Sequence, residues 1–192
     1  MELLLKTDQD WFLFLNSLHV DWLDPVMFWI TKTWIWLPLY IFLLALSIKT
    51  DKKASWMILI GIALVILFAD QVTSSVMKPF FARLRPSHDP ALDGLVHLVN
   101  DYRGGLYGFA SGHAANTFGT ALYFWLVFRD KYKWISFLFL WAIAMTYTRI
   151  YLGVHYPGDI LCGILVGCIG AFIGYSIYKS LKRRFGDASI VG

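Results

Sequence analysis

The chain has 192 residues, is 58% hydrophobic and only 16% charged, and carries a formal net charge of +4. That balance excludes a soluble globular domain and fits an all-α integral-membrane bundle. The modest basic excess falls in short loops and towards the C-terminus, a positive-inside pattern that excludes nucleic acid as a partner.

Residues 1–24 lack a basic n-region, a continuous apolar h-region and a small-residue cleavage site, so no cleavable signal peptide is expected. Trp11, Phe12, Phe14, Leu15, Leu18 and Trp22 recur at roughly helical spacing against Asp8, Asp10, Asn16 and Asp21. This predicts an amphipathic helix, either lying in the membrane interface or packed on the bundle. Five apolar stretches follow, near residues 25–48, 54–77, 112–128, 134–150 and 158–178, each about long enough to span a bilayer. The expectation is one membrane domain over 1–192, with five transmembrane helices, an N-terminal interfacial helix and an outer loop over 78–110. Cys162 and Cys168 lie in the last stretch with no ligand set nearby, as packing residues rather than a disulfide or zinc site.

One set of loops carries Lys49, Lys52, Lys53, Arg129, Lys131, Lys133, Lys179, Lys182, Arg183 and Arg184. Those loops are expected in the cytoplasm, with the C-terminus inside and the opposite face outside an inner (plasma) membrane.

Three polar clusters interrupt the apolar chain: residues 78–86, 110–113 and 148–159. The topology brings all three to the outer face. Lys78, Arg85 and Arg149 supply cations, and arginine grips phosphate oxygens in pairs. Ser111 and Gly112 open a helix, where free N–H groups and the dipole favour an anion. Gly153 suits the end of the fourth span and Pro157 the first turn of the fifth, which leaves His155 at a bend with Asp159 four residues on. A carboxylate on one imidazole nitrogen fixes the tautomer and frees the other to attack, and His113 remains to protonate a leaving oxygen. Neither a magnesium-type nor a zinc-type ligand set is present, so no metal and no cofactor are expected.

Each piece alone has a plainer reading. Lys78 and Arg85 would be interfacial anchors, Ser111 a helix cap, and His155 with Asp159 a structural pair. Together, in order and on one face, they point to phosphate chemistry. Asp70, inside the second span, needs a partner: an ion pair with Lys32 is the first reading and support of the catalytic cations the second. His88 and His97 are placed in the outer loop without a role.

These residues also resemble the type 2 phosphatidic acid phosphatase superfamily, whose signature runs K-x6-R-P, P-S-G-H and S-R-x5-H-x3-D. Lys78, Arg85 and Pro86 match the first part, Ser111, Gly112 and His113 the second, and Arg149, His155 and Asp159 the third. Ala110 stands where the pattern has proline and Thr148 where it has serine. The resemblance implies a helical bundle, a phosphohistidine intermediate on His155 assisted by Asp159, and His113 as the acid. It further implies phosphate held by Lys78, Arg85, Ser111, Gly112 and Arg149, without metal. The expected substrate is a membrane lipid phosphate, undecaprenyl diphosphate first. Lipid A comes next, then phosphatidylglycerophosphate or phosphatidate. Vanadate-holding haloperoxidases share the constellation but are soluble, and a non-enzymatic scaffold would not need these side chains in register.

Overall fold

Helices form where the apolar runs lie, and prolines and glycines mark their ends. In the computed structural model, which describes residues 2–186, the first helix is α1 (Glu2–Asn16) and the second is α2 (Asp24–Ile30), with Pro25 in its first turn. A 3₁₀ turn (Thr33–Trp36) leads into α3 (Leu37–Thr50). Next, α4 (Ser55–Asp70) continues through a π-helical stretch (Gln71–Met77) into α5 (Lys78–Phe81). After a long loop come α6 (Gly112–Phe128), α7 (Phe137–Tyr151) and α8 (Pro157–Leu181). The only extended pairing among the described residues is an isolated bridge between Leu84 and Tyr107.

The chain is an integral-membrane helical bundle. Three continuous stretches are long and apolar enough to cross a bilayer: Thr33–Thr50, Ser55–Phe81 and Pro157–Gly186. With 17 and 15 residues, α6 and α7 are shorter and correspond to the stretches expected near 112–128 and 134–150. The stretch expected at 25–48 is not one helix. It breaks after Ile30, with Lys32 in extended conformation, because Thr31 is drawn aside into the site described below. The C-terminal end, whose side was expected from the charge pattern, lies outside the described residues.

In lipid, where apolar burial gives little drive between helices, close backbone approach holds them together. The seam between α6 and α8 works this way. A Cβ on Gly163 would strike the Ser111 carbonyl, and one on Gly167 the Ala115 carbonyl. The opposite face of α8 leaves Leu161, Leu165, Ile169 and Phe172 exposed, as a lipid-facing stripe should.

At one end of the bundle Trp56 packs on Phe185 and Phe42 on Trp134, with ring centroids 6.0 and 5.7 Å apart. That contact gathers the basic loops there. At the other end, α1 covers the tips of α7 and α8. It buries Phe12 against Tyr156 and leaves Leu3, Leu4, Trp11 and Phe14 exposed.

Candidate active site

The three polar clusters meet at the α1 end. Lys78, Arg85, Gly112, His113, Arg149 and His155 all line one cavity of about 720 Å³. Ser111 and Asp159 are fully buried and stand behind that lining.

Local geometry fixes His155. Gly153 adopts a φ of +71°, which turns the chain out of α7, and Pro157 starts α8. A side chain on Gly153 would also collide with Val96 and Leu98 of the loop above. Held between these two turns, His155 is 2% exposed, with Nδ1 3.3 Å from Asp159 Oδ2. A carboxylate accepts, so Nδ1 carries the hydrogen, and Nε2 has no side-chain partner among the described residues, with the Gly108 backbone beside the ring. Burial first, then the cations Arg85, Arg149 and Lys78, holds the His155 pKa well below the usual histidine range. At neutral pH the ring is uncharged, with a free lone pair on Nε2.

Asp159 is itself tightly held. Oδ2 also accepts from the Tyr156 N–H at 3.0 Å, capping α8, and Oδ1 accepts from Arg83 at 2.9 Å. The other arm of Arg83 reaches Asp8 of α1 at 2.8 Å, and Asp8 accepts from the Gly158 N–H at 2.7 Å. The Arg83 guanidinium lies 4.0 Å over the Tyr156 ring.

The cations approach from three elements. Arg149 donates to Thr31 Oγ1 at 2.7 Å and to the Tyr102 hydroxyl at 3.4 Å, while its Nε has no partner among the described residues. Burial raises the Tyr102 pKa, but the charge and hydrogen bond of Arg149 outweigh it and bring the value below the usual tyrosine range. Arg85 donates from Nε to the Tyr107 carbonyl at 3.1 Å, which aims its remaining donors at the cavity. Lys78 donates to Ser74 at 3.2 Å, one turn earlier on the π-helical stretch. Such stretches recur at functional sites.

His113, of the second cluster, has one side-chain hydrogen bond, Nε2 to the Thr31 carbonyl at 3.3 Å, which leaves Nδ1 towards the cavity. Ser111 caps α6, its hydroxyl accepting from the Ala114 N–H at 3.4 Å, and its own N–H is spent on the Asp159 carbonyl. A side chain on Gly112 would come within 3.3 Å of Thr73 Oγ1 and 4.0 Å of Lys78 Nζ, so the bare backbone keeps that wall of the cavity clear.

Three residues that sequence reasoning left without a role are built into this arrangement: Asp8, Thr31 and Arg83. Arg83 shares a basic cluster with Lys78 and Arg85, and an acid at position 8 of an apolar helix is unusual, so two weak signals were present. Thr31 gave none. The expected Asp70–Lys32 pair does not form. Asp70 accepts from Asn116 Nδ2 at 3.0 Å, while Lys32 sits 4.3 Å over the Phe28 ring, on the far side of the Thr31 break. His97 is a packing residue, stacked on His19 at 3.7 Å and bonded to Asp24 at 3.0 Å, and His88 contacts the Gly104 carbonyl at 3.5 Å. Thr148 keeps its hydroxyl in use, donating to Met145 O at 2.7 Å. Cys162 and Cys168 are half-buried free thiols.

Comparison with known proteins agrees with this geometry. The sequence profile of the PAP2 superfamily matches residues 58–183. A lipid A 4'-phosphatase of Bacteroides thetaiotaomicron is 41% identical over 188 residues, covering 96% of this chain and 82% of the relative. An undecaprenyl-diphosphatase of Sulfolobus acidocaldarius is 29% identical, covering 86% of this chain and 76% of the relative. Among solved structures, LpxE of Aquifex aeolicus superposes with a TM-score of 0.64 at 27% identity, over 88% of this chain and 94% of that one. The chain belongs to the PAP2 superfamily and is a hydrolase, a lipid phosphatase of the membrane.

Proposed function

We propose that this PAP2 lipid phosphatase removes a phosphate from lipid A, with His155 as nucleophile, Asp159 as its orienter and His113 as acid and base. One observation carries the chemistry: an uncharged, carboxylate-oriented His155 opens its free nitrogen onto a cavity that Lys78, Arg85 and Arg149 also line. The relatives weigh for lipid A over the undecaprenyl diphosphate that the sequence put first, since the lipid A 4'-phosphatase match is both closer and longer.

In the proposed reaction, Nε2 of His155 attacks phosphorus and the bond to the lipid oxygen breaks. That oxygen takes the Nδ1 proton of His113, which enters the cycle as the imidazolium because the Thr31 carbonyl holds the Nε2 hydrogen. Water then attacks the phosphohistidine and gives its proton to His113, and inorganic phosphate leaves as the P–N bond breaks. The three arginine and lysine side chains, with the N–H groups that open α6, offset the charge gathered on the equatorial oxygens. Ser111 contributes through that helix start rather than through its hydroxyl. No metal enters the scheme.

The positive-inside pattern supports an active site on the extracytoplasmic face of an inner membrane, with residues 78–110 as its outer loop, five spans and a cytoplasmic C-terminus. We read 1–192 as a single phosphatase domain. The deciding assay is phosphate release by purified protein in detergent containing EDTA, on lipid A, undecaprenyl diphosphate and phosphatidate. Lipid A should be hydrolysed with the highest kcat/KM. A requirement for added magnesium would end the metal-free scheme, and a preference for undecaprenyl diphosphate would end the lipid A assignment.

A further inference from the structure

Beneath the cationic cluster the cavity continues into the bundle. Leu43, Ile62, Trp141 and Met145 make apolar walls, and Asp70 with Asn116 makes a polar flank. Asp70 closes the regular part of α4 eight residues before Lys78, about 12 Å deeper in backbone along the helix axis, while the Lys78 ammonium reaches back one turn towards it, to Ser74. It is exposed to the cavity, and none of the ion pairs among the described residues includes it. Asn116 Nδ2 donates to one carboxylate oxygen at 3.0 Å, which orients the group and leaves the other oxygen without a side-chain partner among the described residues. An acidic side chain in a membrane-spanning helix is costly, and it persists where it faces a polar cavity and has a partner to serve. A carboxylate offers acceptors only, so the ligand group it fits is a donor.

We propose that Asp70, oriented by Asn116, is a second recognition point of the substrate cavity. It accepts a hydrogen bond from a hydroxyl or amide N–H that the lipid carries deeper in the cavity than the reacting phosphate. This rests on the reading of the cationic cluster as a lipid-phosphate site and narrows the lipid. A polyprenyl diphosphate presents only hydrocarbon at that depth. A diacylglycerol phosphate presents ester oxygens, acceptors that a carboxylate repels. An acylated amino sugar presents amide N–H and hydroxyl donors on a short rigid frame. The Asp70 flank selects that last class.

The test is a ratio: kcat/KM on a phosphorylated N-acyl-glucosamine lipid over kcat/KM on phosphatidate, measured in one detergent at matched surface dilution. For Asp70→Asn the ratio is expected to fall about tenfold from the wild-type value, the worth of one hydrogen bond to a charged group. A fall of less than about threefold, below the range of a hydrogen bond to a charged group, overturns the proposal. So does an equal loss on both lipids, which would make Asp70 a counter-charge for Lys78. If Asp70→Asn does not fold, the wild-type protein decides with two synthetic lipids that differ only in an amide or ester link to the sugar. Equal kcat/KM on that pair overturns the proposal, and an amide preference of about threefold or more supports it. Wild-type protein that releases phosphate from none of these lipids would overturn the phosphatase reading itself, a different failure from an active enzyme whose ratio is unmoved.

Discussion

The two histidines that face the cavity stand at the starts of neighbouring helices, yet they are held in different ways. His155 is fixed through Asp159, which Tyr156 and Arg83 hold in turn, and Asp8 of α1 holds Arg83. His113 has a single side-chain hydrogen bond, to the carbonyl of Thr31. The difference matches the proposed division of labour. A nucleophile must keep one tautomer and one line of approach, whereas a group that gives and takes a proton must follow a leaving oxygen and then a water. On that proposal the site is held at more points where the covalent bond would form, its stiff side, than where the proton would move, its loose side.

The largest effect should come from breaking the stiff side. His155→Ala removes the proposed nucleophile and should lower kcat by ~10⁴-fold or more on every substrate, read as phosphate release under saturating lipid. Residual turnover near the wild-type rate would show that water attacks directly. The pH profile sharpens the same side. Burial and three cations disfavour the imidazolium of His155, so activity should persist as pH falls below the usual histidine range, and its acid limb should lie below pH 6.5. Arg85→Gln removes one of those cations, so the limb should move up in pH, in addition to any loss in KM.

On the loose side, His113→Ala should cost about 10²-fold or more in kcat on a lipid phosphate, whose alkoxide leaves poorly, and about tenfold or less on an aryl phosphate. Equal losses on both would take the acid role from His113. Arg83→Lys comes next. It keeps the charge but loses the fork that joins Asp8 to Asp159, and a fall of about tenfold in kcat with KM little changed is expected.

Much of this was legible in the sequence because it is written in residue types at short range. Lys78 to Pro86, Ser111 to His113 and Arg149 to Asp159 each lie within a stretch of eleven residues or fewer at the ends of spans, and topology alone brings them together. What the sequence did not show is carried by contacts across long separations. The first apolar stretch reads as an unbroken span, and only the pull of Arg149 and His113 on Thr31 explains why it breaks there. Asp70 reads as half of an ion pair with Lys32 because charge is visible in a sequence and a neutral partner such as Asn116 is not. The close seam of Gly163 and Gly167 against α6 has the small-xxx-small spacing, a pattern too common in apolar helices to be decisive alone.

The smallest effect tests how far the stiff side extends. Asp8 touches neither His155 nor the cavity lining, and α1 could be a cover that merely packs on the helix tips. Its carboxylate, however, spans two parts of the site, taking the outer arm of Arg83 at 2.8 Å and the Gly158 N–H in the first turn of α8 at 2.7 Å. Asp8→Asn keeps the size and one acceptor for Gly158 but removes the charge that draws Arg83 outward. Arg83 then has freedom to swing, and Asp159 loses its fixed direction. The expected result is a fall of about threefold in kcat, with KM unchanged, since no phosphate ligand is touched. Packing damage alone could imitate a loss of that size, so the decisive measurement is a double-mutant cycle. If Asp8 acts through Arg83, then adding Asp8→Asn to Arg83→Gln should cost nothing further in kcat, because the link is already cut. Fully additive losses would detach α1 from the catalytic machinery and leave it as a cover on the bundle.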